Sequence, residues 1–100
     1  MFVYALAKAV RLGYIPIDHL ANAQCGYQGI LTQLVTLDDR GEAHLNGVCS
    51  VAGLGGDPYR DGSYEYYISE PVVANDLKGV GAFILAAVEI EDARENGRIA

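Results

Sequence analysis

The sequence contains no apolar run approaching the roughly 20 residues that span a bilayer, so no membrane partner is expected. It is short of cations. Seven Lys and Arg face thirteen Asp and Glu, for a formal net charge of −6, and no basic stripe offsets the imbalance, which argues against a general nucleic-acid binder. The opening Met-Phe-Val-Tyr-Ala-Leu-Ala-Lys lacks the basic segment that precedes the apolar stretch of a signal peptide. There are only two cysteines, Cys25 and Cys49, far apart in the chain and insufficient for a disulfide framework. Read as buried thiols, they lean toward a reducing, cytoplasmic compartment. His19 and His44 stand at no metal-ligand spacing, and no Ser-His-Asp order or nucleophile elbow is present. An anionic small ligand stays admissible, because one well-placed arginine outweighs a weak global field at contact distance.

One hundred residues suffice for one small domain with a single core. Residues 1–12 are apolar except for Lys8 and Arg11, and they begin as a helix without an N-cap, as if entered in mid-course. Gly13 and Pro16 end that helix, and Asp18 is placed to cap a second one reaching about Leu34. In this second helix Leu20, Gln24, Tyr27, Leu31 and Leu34 form a stripe, with Gly26 and Gly29 weakening it. The period then changes. Asp38-Asp-Arg-Gly41 signals a hairpin between 35–37 and a returning strand over 42–50, with Gly41 at a left-handed position. A long loop covers 51–75, Asp76 caps a helix over 78–93 with another all-round apolar body, and 94–100 fray. Two helices apolar on most sides cannot be enclosed by what remains. The chain is therefore expected to self-associate or to have neighbouring elements in a larger domain.

The stretch 55–70, GGDPYRDGSYEYYISE, packs four tyrosines, one arginine and four acids around two turn signals. Aromatic faces, a guanidinium and carboxylates in one irregular segment suit a polar ring such as a sugar. Arg60 either grips a carboxylate through its planar fork or braces the loop by pairing with Asp57, Asp61 or Glu65. If 63–67 is extended, Tyr64 and Tyr66 share one side. Asp61 and Glu65 form a nominal carboxylate pair, although nearness in sequence does not establish the opposed geometry glycosidases use. Asp57-x-Tyr-x-Asp61-Gly62 fails as a calcium loop, because Tyr59 and Ile68 occupy ligand positions. Gly53-Leu-Gly-Gly56 and Gly79-Val-Gly81 do not complete a dinucleotide fingerprint, and read as tight turns or close packing. Lys78 beside Gly79 near a helix start leaves an anion contact as the competing possibility.

Cys49-Ser-Val-Ala-Gly-Leu-Gly-Gly56, then Tyr59-Arg-Asp-Gly-Ser-Tyr-Glu-Tyr-Tyr67, then Asn75-Asp-Leu-Lys-Gly-Val-Gly81 resembles the C-terminal end of glycoside hydrolase family 105, relatives of family 88. Met1-Phe-Val-Tyr-Ala-Leu-Ala-Lys8 with Arg11-Leu-Gly-Tyr14 resembles the same family's penultimate helical hairpin, so the likeness covers nearly the whole chain. It implies an all-α fold, the C-terminal part of a toroid of six α-hairpins, with a small β-hairpin and a long loop on the active-site side. It also implies the chemistry of unsaturated rhamnogalacturonyl hydrolases. These hydrate the C4–C5 double bond of an unsaturated uronic acid: an aspartic acid protonates the enol ether, water adds at C5, and the hemiketal collapses. No metal or organic cofactor is implied. The catalytic aspartate of such enzymes lies in their N-terminal half, so no catalytic residue is assigned here and no turnover is expected from this chain alone. Tyr59, Arg60, Asp61, Ser63 and Tyr64 are, by position, the implied substrate-cleft wall for an unsaturated uronic-acid oligosaccharide. The alternative is a non-catalytic carbohydrate-binding or oligomeric interaction module retaining the same loop.

Overall fold

The computed structural model describes residues 1–100. About half of them are helical, and the long helices are α1 (Phe2–Arg11), α2 (Leu20–Gln33) and α4 (Leu77–Glu95). They pack on one another through small side chains. Ala7, Ala23, Ala86 and Ala93 are buried with Val3, Leu20 and Ile90, and Ile90 is the one large side chain fully enclosed. Small residues let helix axes approach closely, at the expense of buried volume. Tyr27 and Phe83 stack at 5.9 Å between α2 and α4.

Arg11 carries the charged link between helices. Its Nε and Nη2 donate to both carboxylate oxygens of Glu89 at 2.9 and 2.8 Å, a planar fork on a side chain otherwise buried in α4. That pairing holds the Glu89 carboxyl below the usual carboxylate range, against the opposing effect of burial.

A 3₁₀ turn, Ile17–His19, leads into α2. The expected Asp18 cap does not form: Asp18 lies inside that turn, which Pro16 launches, and α2 begins without a side-chain capping bond. The cap on α4 forms as expected, with Asp76 Oδ1 accepting Lys78 N at 2.9 Å. Beyond α4, Arg98 N donates to Ala93 O at 2.8 Å, Arg98 pairs with Asp92, and Ile99 lies against the helical core.

The hairpin pairs β1 (Val35–Leu37) with β2 (Ala43–Leu45). Asp38 Oδ1 accepts the backbone N–H groups of Arg40 and Glu42 across the turn, with Gly41 at φ +79° as its position requires. The return does not continue as one strand to residue 50. It breaks at Gly47, and β3 (Val48–Cys49) pairs antiparallel with β4 (Val72–Val73), inside the segment expected to be loop. Asn75, at φ +58°, joins the two pairings: its N donates to Leu45 O, its Oδ1 accepts Leu45 N, and its amide lies 2.8 Å from His44 Nδ1. His44 Nε2 in turn meets Asp38 Oδ2 at 3.0 Å. Both ring nitrogens are thus engaged in fastening the hairpin.

Both cysteines are exposed and free, contrary to the expectation of buried thiols. Cys25 lies on an open side of α2, and Cys49 sits in a two-residue strand at the surface. The compartment argument that rested on their burial therefore falls. No helix is long and apolar enough to cross a membrane.

The assembled chain is a slab of 50 × 39 × 17 Å, one helix layer thick. Its Cα radius of gyration, 16.3 Å, exceeds the roughly 13 Å of a compact 100-residue domain. Its accessible surface, 6905 Å², exceeds the roughly 5,500 Å² of a globule of this mass. Large apolar side chains stand in that surface: Phe2 is 87% exposed and Leu77 84%, with Ile84, Leu85 and Val88 exposed along α4.

Candidate functional site

The slab carries residues 51–75 along one side, entered from β3 and left through β4. Lys78 fixes that junction. Its Nζ donates to Ser50 O at 2.9 Å and to the Asp76 carboxylate at 2.8 Å, which occupies the ammonium that an anion would need. Gly79 is the close-packing glycine of the pair. A Cβ there would meet Val48 Cγ2 at 2.6 Å, so α4 can lie against β3 only with hydrogen at this position.

Within the loop, Gly55 and Arg60 form an isolated antiparallel bridge, each backbone N–H donating to the other's carbonyl at 2.8 and 3.0 Å. The intervening turn contains a cis Asp57–Pro58 bond. The bridge returns the Arg60 side chain over its own turn, where Nε donates to Gly55 O at 2.9 Å. Gly53 and Gly56 form the seat: a Cβ on either would stand 3.3 or 3.2 Å from a terminal guanidinium nitrogen. The glycine run is thus accounted for by an arginine laid against bare backbone. Arg60 belongs to none of the ion pairs, so the expected alternative, bracing by Asp57, Asp61 or Glu65, does not occur.

Residues 63–67 are not extended. Ser63 Oγ accepts Tyr66 N at 3.1 Å and caps a single helical turn, α3 (Tyr64–Tyr67). Asp61 Oδ1 accepts Ser63 N at 2.9 Å, and Ser63 holds the Asp61 carboxyl below its ordinary range. That suits a charged acceptor and not a proton donor. Because α3 is helical, Tyr64 and Tyr66 do not share a side. Tyr64 is 72% exposed, whereas the Tyr66 hydroxyl turns inward and donates to Glu70 Oε1 at 2.6 Å. Glu70 accordingly raises the Tyr66 pKa.

Tyr66 divides the surface into two hollows. The larger, about 510 Å³, is lined by Tyr59, Arg60, Asp57, Tyr66, Ser69 and Glu70, with Val51 and Pro58. The smaller, about 200 Å³, is lined by Asp61, Ser63, Tyr67 and the Gly53–Leu54 edge. Of the five residues picked from sequence, Tyr59 and Arg60 meet at the larger hollow, Asp61 and Ser63 at the smaller, and Tyr64 lines neither. Tyr66 and Glu70 were not among them. Glu70 lies beyond the end of α3, and no local pattern in the sequence joins it to Tyr66.

A glycine-seated arginine and exposed tyrosine rings on a helical slab are the kind of surface a carbohydrate-handling enzyme presents, and the sequence comparisons point the same way. The chain belongs to Glycosyl Hydrolase Family 88, whose family model matches residues 1–94. It is 45% identical over 95 residues to Protein Atu3128 of Agrobacterium fabrum and, equally, to the 24.9 kDa protein in the picA locus of Rhizobium radiobacter. The match takes in 89% of this chain and 41% of each relative, so the chain spans about two fifths of their length. Among solved structures it is similar to a C. acetobutylicum glycoside hydrolase from family 105, with a TM-score of 0.86 and 49% identity. That likeness covers 90% of this chain and 25% of the other.

Proposed function

We propose that this chain forms the substrate-cleft side of a glycoside hydrolase that hydrates the C4–C5 double bond of unsaturated galacturonyl residues in pectin-derived rhamnogalacturonan oligosaccharides. The observation that carries the reading is Arg60. Its guanidinium is seated by backbone, lacks any carboxylate partner in the chain, and faces a hollow of about 510 Å³ large enough for a sugar ring. A uronate supplies the planar carboxylate that such a fork binds through two parallel hydrogen bonds. Tyr59, 80% exposed at the rim, offers its face to the ring. Asp61 and Ser63 shape the adjoining wall, and Tyr64 extends it outward.

The acid that protonates the enol ether is supplied from outside these residues. In this reading the slab is the last part of a toroid of α-hairpins, and its exposed apolar faces are covered by the rest of the same domain or by self-association. The chain by itself binds without turnover.

The test is Arg60→Ala in a protein carrying the whole hydrolase domain, assayed by loss of the double-bond ultraviolet absorbance. A fall in kcat/KM of at least about tenfold is expected, from losing a charge-assisted contact. Unchanged affinity and turnover would sink the carboxylate contact.

A further inference from the structure

The hollow beside Arg60 holds a second charged side chain with unused capacity. Glu70 gives Oε1 to the Tyr66 hydroxyl, and Oε2 takes no hydrogen bond within the chain. Arg60 likewise commits Nε to Gly55 O and leaves both terminal nitrogens without a protein acceptor. The two groups line one hollow and do not pair. Free to move, opposite charges on one wall close on each other, so each must be held back. Both are. Gly53 and Gly56 seat the guanidinium, whose Nε is tied to Gly55 O, and the Tyr66 hydroxyl restrains the carboxylate.

We propose that Glu70 is the second polar anchor of this hollow, accepting ring hydroxyls of a sugar acid whose carboxylate lies on Arg60, and that Tyr66 positions it. The inference rests on the carboxylate reading of Arg60 and adds a selectivity to it. The site takes a ring bearing one carboxylate and free hydroxyls. Hydroxyls capped as ethers cannot donate to Glu70, and a second carboxylate meets both Glu70 and Asp57 across the hollow. Ionised carboxylates only accept, so the preference for hydroxyl donors follows from the side chain's chemistry.

The experiment is calorimetric titration of this chain with D-galacturonate and with its O-methylated derivative, which keeps the carboxylate and loses the hydroxyl donors. The parent chain is expected to bind galacturonate about tenfold more tightly than the ether. Glu70→Gln still accepts from Tyr66, and so keeps α3 in place. It should lose most of that difference while binding the ether as the parent does. Tyr66→Phe should narrow the same difference by less, with the ether again unaffected. Arg60→Ala should weaken both ligands together. If Glu70→Gln discriminates like the parent, with amide shifts over 64–67 unchanged, the Glu70 proposal is overturned and the Arg60 reading survives. If the parent binds neither ligand, both are overturned.

Discussion

Among α1, α2 and α4 the chain is held by alanines meeting closely around Ile90, with Arg11 and Glu89 as the charged crossing. Between 51 and 75 no residue is buried, and order comes from a backbone bridge at Gly55 and Arg60, the Ser63 cap, the Tyr66–Glu70 bond and the short pairing of β3 with β4. The first region resists change through contact and exclusion of water. The second is held by polar bonds that water can replace, so it opens locally at lower free energy. On the reading proposed above, a binding wall built this way can adjust to a ring while the helical slab stays fixed.

Truncation should separate the two most sharply. Ile90→Ala removes the one large side chain fully enclosed, and is expected to cost about 2–5 kcal/mol in urea unfolding. Tyr59→Ala, at an exposed rim, should stay within about 0.5 kcal/mol. Equal losses at the two positions would erase the distinction. Gly79→Ala tests the seam between the regions. The new methyl has 2.6 Å to Val48 Cγ2, a stiff β-branched neighbour, and the expected cost is about 1–3 kcal/mol despite alanine's better helix propensity. A gain in stability would mean that β3 yields without loss.

Acid offers a subtler probe. Glu89, Asp38, Asp61 and Asp76 all have their carboxyl pKa lowered in the fold, Glu89 by Arg11, Asp38 by His44, Asp61 by Ser63 and Asp76 by Lys78. A lowered folded pKa contributes stability that is fully present above the unfolded value, near about 4 for these groups, and that is lost as pH falls through the folded value. Stability should therefore decline below about pH 4, and hydrogen exchange should show 51–75 opening before α4. Glu89→Gln should flatten the helical share of that decline and leave the loop's share unchanged. A more local effect is expected of Ser63→Ala, about 1 kcal/mol confined to α3 and read by amide protection at Tyr66.

The same contrast decides what the sequence could reveal. Apolar periodicity and the Asp76 cap mark the long helices, and Asp38 with Gly41 marks the hairpin, because those signals are local and carry their own spacing. Arg11 and Glu89 lie 78 residues apart, and nothing local joins them. A one-turn helix such as α3 is too short to show a period, so 63–67 read as part of a long loop, with Tyr64 and Tyr66 on one side only if it were extended. Val72 and Val73 are too few to mark β4, and their pairing depends on where β3 arrives. The arginine and the glycines of 53–56 were legible as residues but not as a unit, since the seat exists only once the bridge returns Arg60 over the turn. Asp61 and Ser63 have local turn and capping tasks that compete with the cleft roles drawn from the family likeness.

The most direct test of the central claim is a ¹³C/¹⁵N spectrum of the Arg60 guanidinium, recorded on this chain as unsaturated galacturonate is added. Saturable shifts at the terminal nitrogens, abolished when the carboxylate is methyl-esterified, are the predicted result. An Arg60 signal that stays fixed while other residues respond would contradict the account.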